Sequence, residues 1–268
     1  MNSVHFSTNT PARSGTRAVI SRVDELHWQA VEDNRTIGQG EASRRPDGRV
    51  FLSIDTWHGT VFDQLAATML NDLPKPLYTM VDESDHDLTA RWARAGLTIR
   101  RREREYHFAT DPAVTGLDTG RVPTGVTVVG LGAAREPGLR EVYAAVRAEV
   151  DARVGWDTMP VEVPARPAGA PLDPSRYVVA EAGDRYVGLV RVVSRRRHAR
   201  IGLVVVREEL HRRGIARAML AEALGTLHHG GFETASAELD ERNTAARALF
   251  EGIGARHVST AVEMGCGA

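Results

Sequence analysis

The stretch IGLVVVREELHRRGIARAML, residues 201–220, decides the fold. Its apolar run, residues 201–206, predicts a strand. A charged loop follows and closes on Arg212-Arg213-Gly214-Ile215-Ala216, where an amphipathic helix begins and runs to about residue 227. A strand that hands a small-residue turn to a helix start makes an anion site. Consecutive backbone N–H groups point outward there, and the helix dipole favours negative charge. Gly214 and Ala216 let a phosphate approach the main chain, while Arg212, Arg213 and Arg217 add positive charge. The pattern reads as a pyrophosphate cradle. It is not the phosphate loop of nucleoside triphosphatases, because no Gly-Lys-Ser/Thr follows, nor a dinucleotide fingerprint, because the glycine triplet is missing.

The next block sharpens the reading. After a turn at His229-Gly230-Gly231, residues 233–239 read as a strand. Asn243 then stands as the N-cap of a helix through residue 251, and Gly254 as its C-terminal stop. Strand, cradle, helix, strand, Asn-started helix and glycine stop, with these residues, resemble the GNAT family of acyl-CoA-dependent N-acetyltransferases. The family's cradle, Arg/Gln-x-x-Gly-x-Gly/Ala, stands here as His211-Arg212-Arg213-Gly214-Ile215-Ala216. Its later block stands as Asn243, Ala246, Leu249, Phe250, Gly254 and Ala255. The match covers residues 124–268.

The resemblance implies a mixed, mostly antiparallel sheet flanked by helices, with acetyl-CoA as co-substrate and no metal. Val204, Val205 and Val206 would pair with the pantetheine arm. Arg212, Arg213, Gly214, Ile215, Ala216 and Arg217 would hold the pyrophosphate, and Asn243 would sit beside the thioester. Glu238, on the preceding strand, is the candidate general base for the acceptor amine. The segment 139–159 would shape the acceptor pocket, with Tyr143, Glu149, Trp156 and Asp157 as candidate substrate contacts. Two departures carry little chemistry: His211 opens the cradle, and Ala255 follows Gly254. A third does. The family's tyrosine, donor to the departing thiolate, is Phe250 here, which has no proton to give.

An internal repeat extends the reading to the whole chain. Asp82-Glu83-Ser84-Asp85 aligns with Asp240-Glu241-Arg242-Asn243 at an offset of 158 positions, and Trp92 and Gly96 then fall on Phe250 and Gly254 without a gap. Upstream, a hairpin at 27–42, a strand at 51–55 and a helix at 60–70 repeat the order of a hairpin at 176–194, the strand at 201–206 and the helix from residue 215; a strand at 126–131 opens the second copy. The expectation is an α/β chain of two tandem GNAT-like domains. Residues 1–111 form a degenerate copy, 112–123 a linker, and 124–268 the acyl-CoA-binding domain. The first copy lacks the cradle: only Thr56-Trp57-His58-Gly59 separates its strand from its helix, and Asp85 stands where Asn243 does.

The resemblance implies transfer of an acetyl group from acetyl-CoA to a primary amine of a small molecule or peptide by direct attack, and bulk properties fit a soluble cytoplasmic protein. The 268 residues carry a net charge of −1, so nothing draws the chain as a whole to nucleic acid or a membrane. No apolar segment reaches spanning length, the first residues lack a signal-peptide core, and the single cysteine, Cys266, excludes an internal disulfide. Lys75 is the sole lysine, a bias towards arginine that points to a GC-rich bacterial genome. The runs Arg100-Arg101-Arg102 and Arg195-Arg196-Arg197 read as solvated rims rather than nucleic-acid patches. The expected assembly is a monomer or homodimer. The alternative function is a non-catalytic acyl-CoA- or small-molecule-binding protein on the same scaffold.

Overall fold

The computed structural model describes residues 18–45, 47–117, 122–156, 159, 171–195 and 198–267. Its first half runs β1 (Val19–Arg22), β2 (His27–Glu32), β3 (Arg35–Arg44), β4 (Val50–Thr56), α1 (Gly59–Asp72), β5 (Leu77–Asp82), α2 (His86–Arg94) and β6 (Thr98–Ala109). A short helix, α3 (Pro112–Thr115), leads into the second half. That half runs β7 (Val126–Val129), α4 (Glu136–Arg153), β8 (Tyr177–Ala182), β9 (Arg185–Arg195), β10 (His198–Val206), α5 (Ile215–His229), β11 (Thr234–Asp240), α6 (Thr244–Glu251) and β12 (Arg256–Cys266).

Local chemistry accounts for several of these elements. Asp33 and Asn34 both adopt positive φ, 47° and 59°, the combination a tight β2–β3 turn requires. Along β3, Gly38, Gly40 and Ala42 are buried while Gln39, Glu41 and Ser43 face water. The glycines are there for close approach: a Cβ on Gly40 would stand 2.5 Å from the Met69 sulfur of α1. Trp92 on α2 packs edge-on against Phe62 of α1, ring centroids 5.1 Å apart.

All twelve strands join one sheet, in the order β1-β2-β3-β4-β5-β12-β6-β11-β10-β9-β8-β7. The parallel contacts are β4 with β5 and β10 with β11; every other pair is antiparallel. Each half's last strand crosses to the other half's sheet. β6 lies along β11, and β12 lies along β5. The exchange reaches the cores: Tyr106 and Phe108 of β6 pack with α5 residues such as Leu220 and Leu224, and Val262 and Met264 of β12 pack with Leu65 and Met69 of α1.

Alternation along β8 separates two layers in the second half. Val178 and Ala180 join the α5 core, whereas Tyr177 and Val179 join a separate core under α4. So α4 covers the sheet face opposite α5. In the first half β1 and β2 are joined by residues 23–26 alone, with no helix between them.

The repeat is visible as geometry. Asp82 Oδ1 accepts from Ser84 N, and Asp240 Oδ1 accepts from Arg242 N, both at 2.8 Å. Asp85 caps α2 through Leu88 N, as Asn243 caps α6 through Ala246 N. Trp92 and Phe250 are both core residues, and Gly96 and Gly254 both hold positive φ, 99° and 80°.

One expectation is corrected. The run 100–102 is a solvated rim in part alone: it lies inside β6, where Arg100 is exposed and Arg102 half-buried, but Arg101 is buried with ion pairs to Glu103 and Glu263. Glu263 also holds Arg49 at 3.1 Å, and Arg101 Nη1 donates to the Met159 carbonyl at 2.8 Å. Burying such charges costs too much unless they meet each other, which they do here. Arg196 and Arg197 lie outside the described residues.

Candidate active site

β10 and β11 are paired at two rungs alone, Ala199–Ala235 and Arg200–Ser236. Beyond them β10 slips register at Gly202 and continues along β9 to Val206–Gly188, while β11 continues along β6 to Asp240–Glu103. The two strands therefore part. The opening between them is a cavity of about 1090 Å3 that runs from the starts of α5 and α6 through to α4. That is the upper end of the range for ligand pockets, enough for two reactants.

The cavity wall on the β10 side is a backbone edge. Arg207 N donates to Val187 O at 2.7 Å, so by alternation Val205 also directs its N–H at β9. Val204 and Val206 then direct theirs into the opening. The Val206 carbonyl confirms the direction, because His211 Nε2 reaches it at 2.7 Å from the loop beyond. His211 thus pins the cradle to the strand end.

The loop makes a 3-10 turn at Glu208–Leu210 and then takes two left-handed residues, Arg212 at φ 58° and Gly214 at φ 84°. Gly214 is the N-cap of α5 and offers no side chain, so the first N–H groups of α5 are left for a ligand. Asn243 caps α6 with its Oδ1, and its amide group lines the same cavity. Neither helix has an acid in its first turn. Two helix starts aimed at one cavity, with Arg212 beside them, suit an anion, and the open space around Gly214 suits a diphosphate in contact with main chain.

α4 holds this loop from the other side. Glu149 accepts from Arg207 Nε at 2.5 Å and from Glu208 N at 3.0 Å, and Arg153 pairs with Glu208. The Glu149 carboxylate holds the Arg207 guanidinium above its ordinary pKa.

Glu238 of β11 lines the cavity and pairs with Arg200 of β10, across the point where the strands part. Its cross-strand neighbour is Glu105 of β6, which Ser259 Oγ and His107 Nε2 each hold at 3.0 Å. Burial pushes the Glu105 carboxyl up, but His107, Ser259 and Arg200 more than offset it and leave it below the usual range. Burial likewise raises Asp240, and the Arg242 side chain and N–H outweigh it, so this carboxyl too sits low.

Most of the residues singled out from the sequence converge here. Val204, Val205, Val206, Arg212, Gly214, Ile215, Ala216, Arg217, Glu238, Asn243 and Glu149 line the cavity. Arg213 does not; it is exposed on the outer side of the loop. Arg217 is turned aside in part, with its guanidinium donating to the carbonyls of Gly116 and Gly252. Tyr143 and Trp156 are not pocket walls. They pack together in the α4 core, centroids 5.8 Å apart, because their rings lie on the sheet side of the segment. Asp157 lies outside the described residues. Phe250 lines the cavity and leans on Phe108 at 5.2 Å. Sequence reasoning missed Arg200, Arg153 and the wall formed by Val146, Val150 and Met159. The i, i+4 spacing of Val146 and Val150 on α4 was the available signal.

The sheet splits between two parallel strands over a glycine cradle at a helix start, an arrangement open to a ligand that ends in a phosphate or diphosphate. Residues 148–255 match the model of the acetyltransferase (GNAT) family, so the second half carries a GNAT acetyltransferase domain. Solved structures agree over nearly the whole chain. A GCN5-related N-acetyltransferase from Sphaerobacter thermophilus superposes with TM-score 0.66 at 15% identity, covering 92% of this chain and 82% of that one. A tandem GNAT protein from the clavulanic acid biosynthesis pathway gives 0.61 at 15%, covering 90% and 82%. A GCN5-related N-acetyltransferase from Kribbella flavida gives 0.56 at 15%, covering 94% and 90%. At these identities the likeness establishes the fold, which is that of a tandem GNAT protein. No curated protein matches by sequence.

Proposed function

We propose that this protein transfers the acetyl group of acetyl-CoA to the primary amine of a small molecule or peptide by direct attack. The observation that carries the reading is the opening after the Arg200–Ser236 rung, with the Val204 and Val206 amides on one side and the start of α5 at its mouth. Acetyl-CoA would supply the thioester carbon that the amine attacks.

Each step falls to a residue of the chain. The N–H groups from Ile215 onward and Arg212 receive the diphosphate. The Val204 and Val206 edge receives the pantetheine arm and the oxygen that gains charge during attack. Asn243 presents its amide beside the thioester. Glu238, directly or through a water, takes the amine proton as the N–C bond forms and the C–S bond breaks. The thiolate leaves with the pair of electrons and takes a proton from solvent. Its modest basicity makes this step tolerable without the hydroxyl that Phe250 lacks. The division at residues 112–123 and work in the cytoplasm belong to the same reading.

Thiol release over a panel of amines, alongside calorimetry with CoA, tests it. CoA binding with turnover on at least one amine is the expected result. A second reading, an acyl-CoA-binding protein without catalysis, is favoured by Phe250 and by the ion pair that engages Glu238. CoA binding with no turnover on any amine would select it.

A further inference from the structure

Resting on the acetyltransferase reading, we infer that the acceptor is a primary amine with one ammonium on an apolar body, such as an alkylamine or arylalkylamine, and not a polycation. The cavity leaves the β10–β11 opening on the α4 side, opposite the cradle. Its wall there is largely apolar: Val146 and Val150 on successive turns of α4, then Val154 and Met159, with Glu149 and Arg153 beside them turned to Arg207 and Glu208.

The carboxylates among the described lining residues are all engaged. Glu149 holds Arg207 and the Glu208 amide, and Glu208 is held by Arg153. Asp240 takes three hydrogen bonds from Arg242, and Glu238 pairs with Arg200. Behind Glu238, Glu105 is held by Ser259 and His107. One ammonium can approach the Glu238–Arg200 pair at the opening, lose its proton there and react. A second or third ammonium on the same molecule would be laid against valine and methionine. Removing it from water there, with no free counter-charge among the described residues, is unfavourable by several kcal/mol. An apolar body gains by covering the same wall.

Calorimetry reads this without turnover. 2-Phenylethylamine and spermidine are titrated into the protein with and without saturating CoA, at about 0.15 M salt, where non-specific charge attraction is screened. The expected result is 2-phenylethylamine bound at least about tenfold more tightly than spermidine. A Val150→Asp variant is expected to narrow or reverse that ratio; Val154→Asp, at a more exposed position, serves if the first does not fold. Equal affinities, a preference for spermidine, or no binding of either amine would overturn the inference. Absence of heat with CoA itself would instead count against the donor reading, leaving the amine comparison to decide the acceptor class.

Discussion

Glu103 and Ala261 face each other in the β6–β12 ladder, and they are also the two residues that the 158-position repeat offset maps onto one another. The local two-fold of the molecule therefore passes through this pair. The same offset relates the two irregularities of the ladder, the extra residues Arg100 on β6 and Val258 on β12. Two copies that each end in the same bulged strand can pair those strands antiparallel, and the sheet then runs on unbroken. Symmetry fails in side chains at this point: a buried carboxylate stands on one strand and a methyl group on the other.

Gly214→Val is expected to weaken CoA binding by about tenfold or more while leaving the fold intact. The φ of 84° is the reason, since a β-branched residue there costs on the order of 1–3 kcal/mol and shifts the α5 start. Crowding is not the reason, because the nearest atom to an added Cβ is Pro123 Cγ at 3.8 Å. Calorimetry with CoA, with thermal unfolding as a control, checks it.

Glu238→Gln is expected to lower kcat by about 10²-fold or more, with CoA affinity unchanged. Part of the rate should return as pH rises and more of the amine is already neutral. Thiol release measured across pH decides this; a flat loss at all pH values would remove Glu238 from the role of base.

Asp240→Asn should make the protein less sensitive to acid. The folded carboxyl sits below its ordinary value, so its stabilisation is complete above the unfolded pKa and is lost as pH falls through the folded one. The window lies below about pH 4 to 5. Melting temperatures at pH 7 and in that window should differ less in the variant than in the wild type.

Glu263→Gln leaves Arg101 and Arg49 without their shared buried partner, and about 3 kcal/mol or more of stability should go with it. For a chain of this size that is a fall in Tm of about 6 °C or more.

The cradle and the repeat were legible because each rests on local rules: a glycine at positive φ, an Asx turn, a cap three residues before its partner. Trp92 and Phe250 could be matched in the sequence for the same reason. The exchange of β6 and β12 was not legible. The strand TIRRREREYHFA announces neither its partner nor its burial, because charges that would keep it at the surface are met from far away in the chain, Arg101 by Glu263 and Arg104 by Glu241. The acceptor side was half legible. Glu149 was found, but its commitment to Arg207 depends on a helix and a loop meeting across the sheet, and the inward turn of Tyr143 and Trp156 depends on how α4 is rolled.

The crossing of the final strands sets the limit on how this chain can be shortened. A fragment beginning after α3 would keep the cradle yet strip β11 of its neighbour, baring a row of main-chain donors and acceptors from Thr234 to Asp240. Such an open margin recruits other chains and leads to aggregation. The copy without a cradle is thereby kept as the selvedge that stops the working half from fraying.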